Sequence, residues 1–387
     1  MTNPISGARV TALLAALAIL NLAFAAALIV PSYITLDAPG QVPDFVAFWA
    51  AARLALEGTP ALAYDWQAHR AAEVAGLGRD FDGWMPWHYP PPVQLAVAPL
   101  GAAPLFAAMA LWVGGTALLY LWTCWRILPH PNAVLAGLAA APTALTLING
   151  QIGFLMAALM GWALLDLDRK PIRAGLLMGL LGFKPHLVLA LPVALIGAAR
   201  WRTALAGAAA TLGLAGLSWA VLGGATWRAF AVSVTDTTRV FAGTGAAEQN
   251  WAMGAGIYGY LRHLGADAGP AMAVQAAAAL AVLALTVRAW RAPPVTPEIK
   301  AALICFATLI AAPRVLNYDL HILVIGALFQ TRHALAHRFY PGEQLLLAAT
   351  MLAAFVSMLA APGLNPALAP ALFVGCWWGH LRQRRHP

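Results

Sequence analysis

Charge is what this 387-residue chain has least of: charged residues make up 10%, against 61% hydrophobic residues and a mean hydropathy of +0.73. A soluble chain of this length carries about 25% charged residues. Ten per cent cannot clothe a water-soluble globule, and hydrophilic stretches are too few for one large soluble domain. A cytosolic enzyme is excluded on composition alone. Cysteine is scarce as well. Cys124, Cys305 and Cys376 each stand alone in an apolar run, with no CxxC, which argues against disulfides and thiolate metal sites. Fixed repeats and low-complexity tracts are missing too.

The net charge of +8 does not signify nucleic acid. A phosphate-tracking surface gathers its basic residues on one soluble module. Here they recur in short turns between apolar runs. Those runs are residues 10–30, 104–126, 132–148, 151–167, 172–183, 185–199, 203–222, 269–290, 299–312, 320–331, 343–360 and 367–380. They predict an all-α polytopic membrane protein of about twelve spans, some short enough to be broken or re-entrant. Residues 10–30 are too long for a removable signal core of about 7–15 residues and read as the first span.

Placing both ends in the cytoplasm puts 15 of the 23 basic and 4 of the 15 acidic residues inside, a balance of +11 inside against −3 outside. That partition obeys the positive-inside rule. It leaves two long outer segments, about 31–103 and 223–268, within one integral membrane domain covering 1–387. The first segment holds apolar, aromatic-rich helical stretches at 45–56 and 62–74. Asp44 after Pro43 is positioned as an N-cap, and such helices are expected to lie in the membrane interface.

Several motifs fail on context. Gly254-Ala-Gly256-Ile-Tyr-Gly259 fits GxGxxG but follows no strand, so it reads as a packing element and not a dinucleotide site. His333 and His337 have helical i, i+4 spacing without a third ligand. Asp166-Leu-Asp168, beside Arg169 and Lys170, reads as solvated interfacial charge. Asp80-Phe-Asp82, near Trp84, Trp87 and His88, is the one pair that could hold a divalent cation, and it is a minor alternative to a metal-free site.

The informative residues fall at the outer ends of apolar runs: Asp44, His88-Tyr89-Pro90-Pro91-Pro92, Asn149-Gly150-Gln151, Lys184-Pro185-His186, Asn250-Trp251 and Arg314 to His321. Ionisable groups among apolar spans are costly and face a cavity or a partner. Lys184 has no acidic neighbour in sequence; a purely structural pair with Asp319 is one account of it. All these groups converge on one side of the membrane.

Those residues resemble glycosyltransferase family 87, of the GT-C superfamily. The resemblance rests on Asp44-Phe45-x3-Trp49 with Gly58 and Tyr64, on Tyr89-Pro90-Pro91, Gly150-Gln151, Ala174-Gly175 with Lys184-Pro185, and the 313–321 segment. It covers roughly residues 40–330. It implies an inverting transferase that moves a sugar, with mannose the first expectation, from a polyprenyl-phosphate donor to a lipid or glycan acceptor at the outer face of the cytoplasmic membrane. Phosphate leaves as a stabilised anion, so one base suffices. Asp44 matches the family position for that base. Lys184, Arg314, His186 and His321 are the expected donor-phosphate groups. Trp49, Tyr89, Gln151, Asn250 and Asp319 are the expected sugar or acceptor contacts, with Trp84 and Trp87 as further stacking surfaces. No cofactor is required. A transporter or lipid-linked-sugar flippase is the competing class, but transporters commonly carry an internal repeat and this chain has none.

Overall fold

The computed structural model describes residues 7–31, 42–82, 85–243, 254–292, 295–359 and 365–385. Among these the chain is all-helical, and the only extended pairing is an isolated bridge between Gly254 and Leu316. In chain order the helices are α1 (Ala8–Ile29), α2 (Phe45–Leu56), α3 (Trp66–Leu77), α4 (Pro91–Val97), α5 (Leu105–Ile127) and α6 (Pro131–Ala139). There follow α7 (Ala141–Asn149), α8 (Gly153–Asp166), α9 (Pro171–Leu180), α10 (Ala190–Gly197), α11 (Trp201–Leu222) and α12 (Gly224–Gly243). The last are α13 (Ile257–His263), α14 (Ala268–Arg291), α15 (Pro297–Ala311), α16 (His321–His337), α17 (Glu343–Leu359) and α18 (Asn365–Arg385).

Each expected apolar run contains helix. Four helices, α1, α5, α11 and α14, are long and apolar enough to cross a membrane unaided; α6 and α7 make a fifth if their 63° bend lies within one span. The other runs form shorter helices, or in α18 a helix with Pro370 inside it. Length and burial sort together. Only 11–33% of the most apolar window of each long helix is buried in the protein. The 15-residue α15, by contrast, is buried continuously from Ala301 to Ala311, and α8 almost throughout. A helix apolar all round and covered by protein belongs to the core. The long helices therefore form the periphery, with exposed Leu111, Leu118, Leu205, Leu212 and Leu280. α2 is likewise enclosed, buried at nine of its twelve positions, which shows why a Phe- and Trp-rich stretch here packs inward.

Broken helices free backbone carbonyls that hydrocarbon cannot satisfy. Two buried amides answer this. Asn21 of α1 donates to Leu138 O and Ala140 O, both at 2.8 Å, across the α6–α7 bend. Gln275 of α14 donates to Ile310 O (2.9 Å) and Ala311 O (3.2 Å) at the end of α15, and accepts from Tyr258 N at the start of α13. The GxGxxG stretch serves packing: Ala255 N donates to Val315 O at 2.7 Å, and Gly256 leaves room for the Val315 backbone.

Candidate functional site

Four separate chain segments meet where α2 begins, α8 begins, α9 breaks and α15 gives way to α16. Gly150 makes the first junction. It ends α7 at φ +70°, and a Cβ there would strike the Phe45 side chain at 2.5 Å, so only glycine lets α7 turn into α8 against α2. The turn delivers Gln151 to Asp44, whose Oδ2 accepts from Gln151 Nε2 at 2.7 Å. Asp44 occupies the N-cap position of α2, but its side chain makes no cap; it turns to Gln151 instead.

The next link fixes the amide's orientation. Tyr89 O–H donates to Gln151 Oε1 at 3.1 Å, which leaves the Gln151 NH2 for Asp44. Burial, with the nearby Asp319 and Asp44 carboxylates, pushes the Tyr89 hydroxyl well above its usual range, so it stays a donor. Burial also raises the Asp44 carboxyl, against the opposing pull of the Gln151 hydrogen bond and the Lys184 charge. Desolvation outweighs both.

Lys184 sits in the turn after α9, with its Nζ 2.7 Å from Asp319 Oδ1 and 4.5 Å from the centre of the Tyr318 ring. The pair is sealed from solvent, Lys184 exposing 5% and Asp319 1% of its side chain. Asp319 Oδ2 accepts from Leu316 N at 3.1 Å, so both its oxygens are held within the protein. Arg314 lies within electrostatic reach of Tyr89, Tyr318, His88 and His186, and His186 in turn of Lys184 and Asp319. His321 is placed differently. Its Nδ1 faces Tyr318 O at 2.7 Å, its Nε2 faces Thr143 Oγ1 at 3.4 Å, and its ring packs between Tyr120 and Phe154.

The aromatic residues form a packed wall. Trp49 is buried, donates its indole N–H to Ala103 O at 2.8 Å and presses on Gly76 of α3. Phe48 contacts Trp87 edge-on at 5.3 Å and Tyr89 at 4.9 Å. Asp80 lies apart, exposed and paired with Arg70 at 2.8 Å. The N–H of Phe81 and the Arg70 guanidinium hold its carboxyl below the usual range. Among the described residues no group of three or more His, Cys, Asp or Glu is arranged for a metal. Asn250, Trp251 and Trp84 fall outside the described residues.

Near this site, two buried polar residues are not marked by the sequence. His69 and Glu73, on one face of α3, are fully buried beside Trp87 and His88. Their i, i+4 spacing is common on any helix, and neighbouring polar positions of α3 hide it.

Among the described residues, an all-helical bundle with long lipid-length helices outside, and a buried ion pair set beside a part-buried carboxylate and arginine, defines an integral membrane protein with charged groups gathered inside it. The model of glycosyltransferase family 87 matches residues 87–313, more than half of the chain, and the chain belongs to that family: it is a membrane glycosyltransferase. The match takes in Tyr89, Gln151, Lys184 and His186; Asp44, Arg314, Asp319 and His321 flank it. No curated protein and no solved structure matches the chain.

Proposed function

We propose that the protein transfers a sugar, mannose being the first expectation, from a polyprenyl-phosphate donor to a hydroxyl of a lipid or glycan acceptor, with inversion and with Asp44 as the general base. The observation that carries this is the half-buried Asp44 carboxylate. It is oriented by the Tyr89–Gln151 relay and lies within reach of Lys184. In the reaction the acceptor oxygen attacks the anomeric carbon from the face opposite the phosphate. Its proton passes to Asp44, and the anomeric C–O bond breaks with its electron pair leaving on the polyprenyl phosphate. A positioned base supplies on the order of 10²–10⁴-fold.

Lys184 and Arg314, with His186 beside them, meet the developing phosphate charge in a water-poor site. The Lys184 ammonium has three N–H donors, and the bond to Asp319 uses one. In this reading Asp319 holds Lys184 in place as well as bordering the sugar site, and His321 supports the 318–321 backbone. No metal is needed, Asp80 and Asp82 being the fallback pair. The proposed setting is the cytoplasmic membrane, crossed by about twelve spans if the short helices are included, with the site on the outer side.

The test is transfer of labelled sugar from a polyprenyl phosphate by purified protein. Asp44→Asn keeps the size of the side chain and cannot accept the proton, so turnover should fall at least about a hundredfold with donor binding little changed. A folded Asp44→Asn protein at near-normal rate, beside an inactive Asp319→Asn, would move the base to Asp319. Uptake of substrate into proteoliposomes without covalent transfer would favour a transporter.

A further inference from the structure

Polar atoms buried without partners are costly, and among the described residues several of them gather around one cavity. Tyr64, Trp66, His69, Arg70, Glu73, Trp87 and His88 line a cavity of about 10 Å³, room for one water-sized group. His69 is 3% exposed and Glu73 0%. Among the described residues neither ring nitrogen of His69 has a hydrogen-bond partner, nor does Glu73 Oε1. The two side chains stand 3.4 Å apart at His69 Nε2 and Glu73 Oε1, without the alignment of a hydrogen bond between them. The other Glu73 oxygen accepts weakly from Met85 N at 3.4 Å.

The cavity adjoins the site already described. The Tyr64 hydroxyl donates to Tyr89 O at 2.9 Å, and the Trp87 ring lies 5.1 Å from that of Tyr89. Tyr89 is the residue whose hydroxyl aligns Gln151 and Asp44. Trp66 stands exposed among the lining residues.

We propose that this cavity is an acceptor subsite that takes one hydroxyl of a carbohydrate or polyol. A hydroxyl both donates and accepts, so a single one can give its hydrogen to Glu73 Oε1 and receive one from a His69 ring nitrogen. The lining sets the Arg70 guanidinium, whose Nη1 is also buried without a hydrogen-bond partner among the described residues, against the Glu73 carboxylate, so a neutral hydroxyl fits its charge balance. Tyr64, Trp66 and Trp87 supply the apolar faces that surround the few polar groups of a small-molecule site. The subsite rests on the transferase reading in assigning the hydroxyl to the acceptor: its anchor sits here while its reacting hydroxyl reaches Asp44.

The experiment is saturation-transfer NMR of methyl α-D-mannopyranoside on the full chain in lipid nanodiscs. Binding should be equal in the natural protein and in Arg200→Ala, a partly exposed position paired with Asp168 at the far end of α8. It should weaken about tenfold in Glu73→Gln and in His69→Ala, the cost of one hydrogen bond to a charged or buried partner. Trp66→Ala, at an exposed position, should weaken it severalfold and decides the matter if the buried variants fail to fold. Binding by folded Trp66→Ala and Glu73→Gln proteins that matches the natural chain overturns the subsite. Failure of the natural chain to bind overturns it as well, leaving a buried water as the occupant. Glu73-dependent binding by a protein that transfers no sugar leaves the subsite standing and removes the transferase role of Asp44.

Discussion

The two ends of α8 carry the same kinds of residue in opposite surroundings. Gln151 just precedes the helix and Asp166 closes it, about 20 Å away at 1.5 Å per residue. At the Gln151 end, Lys184 and Asp319 pair at 2.7 Å, sealed in protein beside Asp44. At the Asp166 end, Asp166, itself largely covered, pairs with a half-exposed Arg173, and Asp168 with Arg200 at 2.6 Å, 40% and 33% exposed. Exposed pairs contribute about 0–1 kcal/mol. A buried pair costs several kcal/mol to desolvate and is weak as a device for stability alone. That contrast is what the proposed chemistry expects: charge retained at the dry end serves the site, and at the wet end water tolerates it.

Breaking the dry end should have the larger effects. Lys184→Met leaves Asp319 buried and unpaired, a loss of about 3–5 kcal/mol in unfolding free energy. Adding Asp319→Leu should restore most of that stability without restoring sugar transfer. Recovery of transfer by the double variant would show the pair to be structural only. Gly150→Ala comes next, since it strains a left-handed turn and drives a Cβ into Phe45. A stability loss of about 1–3 kcal/mol is expected, with a fall in kcat as Gln151 leaves Asp44; full activity would detach the α7–α8 turn from the site. Arg200→Ala, at the wet end, should change thermal stability by less than about 1 kcal/mol and leave transfer unaltered. A large loss of either would erase the distinction between the ends.

The same division governs what the sequence discloses. Apolar runs disclose helices, because burial in lipid or protein demands apolar side chains either way. For the same reason they do not tell peripheral from central helices, and α8 and α15 became recognisable as core only from their neighbours in space. Asp44, Lys184 and Asp319 stood out as charges among apolar residues, and the Lys184–Asp319 pairing was among the readings open from sequence. The sequence marks Gln151 as a contact for sugar, and only the fold adds that its amide holds Asp44. Asn21 and Gln275 went unread because a single amide in an apolar span shows its purpose only beside the carbonyls it caps. His69 and Glu73 were hidden for the converse reason: polar residues on a partly polar helix attract no notice until burial strips them of water.

The central claim is that a desolvated Asp44 takes the acceptor's proton, and the pH dependence of kcat/KM for sugar transfer tests it most directly. Only the ionised carboxylate can act as base, so the rate rises with pH through the pKa of Asp44. Burial places that pKa above the ordinary aspartate value of about 3.9. Burial pushes the imidazole of His88 down to about 3 and, with the Lys184 charge, that of His186 to about 4, so neither contributes a limb near neutral pH. The account predicts an acidic limb above the usual aspartate range, shifted down when Gln151 is replaced by a cationic residue such as Lys, which favours the carboxylate. A profile flat to the acid limit of folding, or a limb that Gln151→Lys leaves in place, would contradict it.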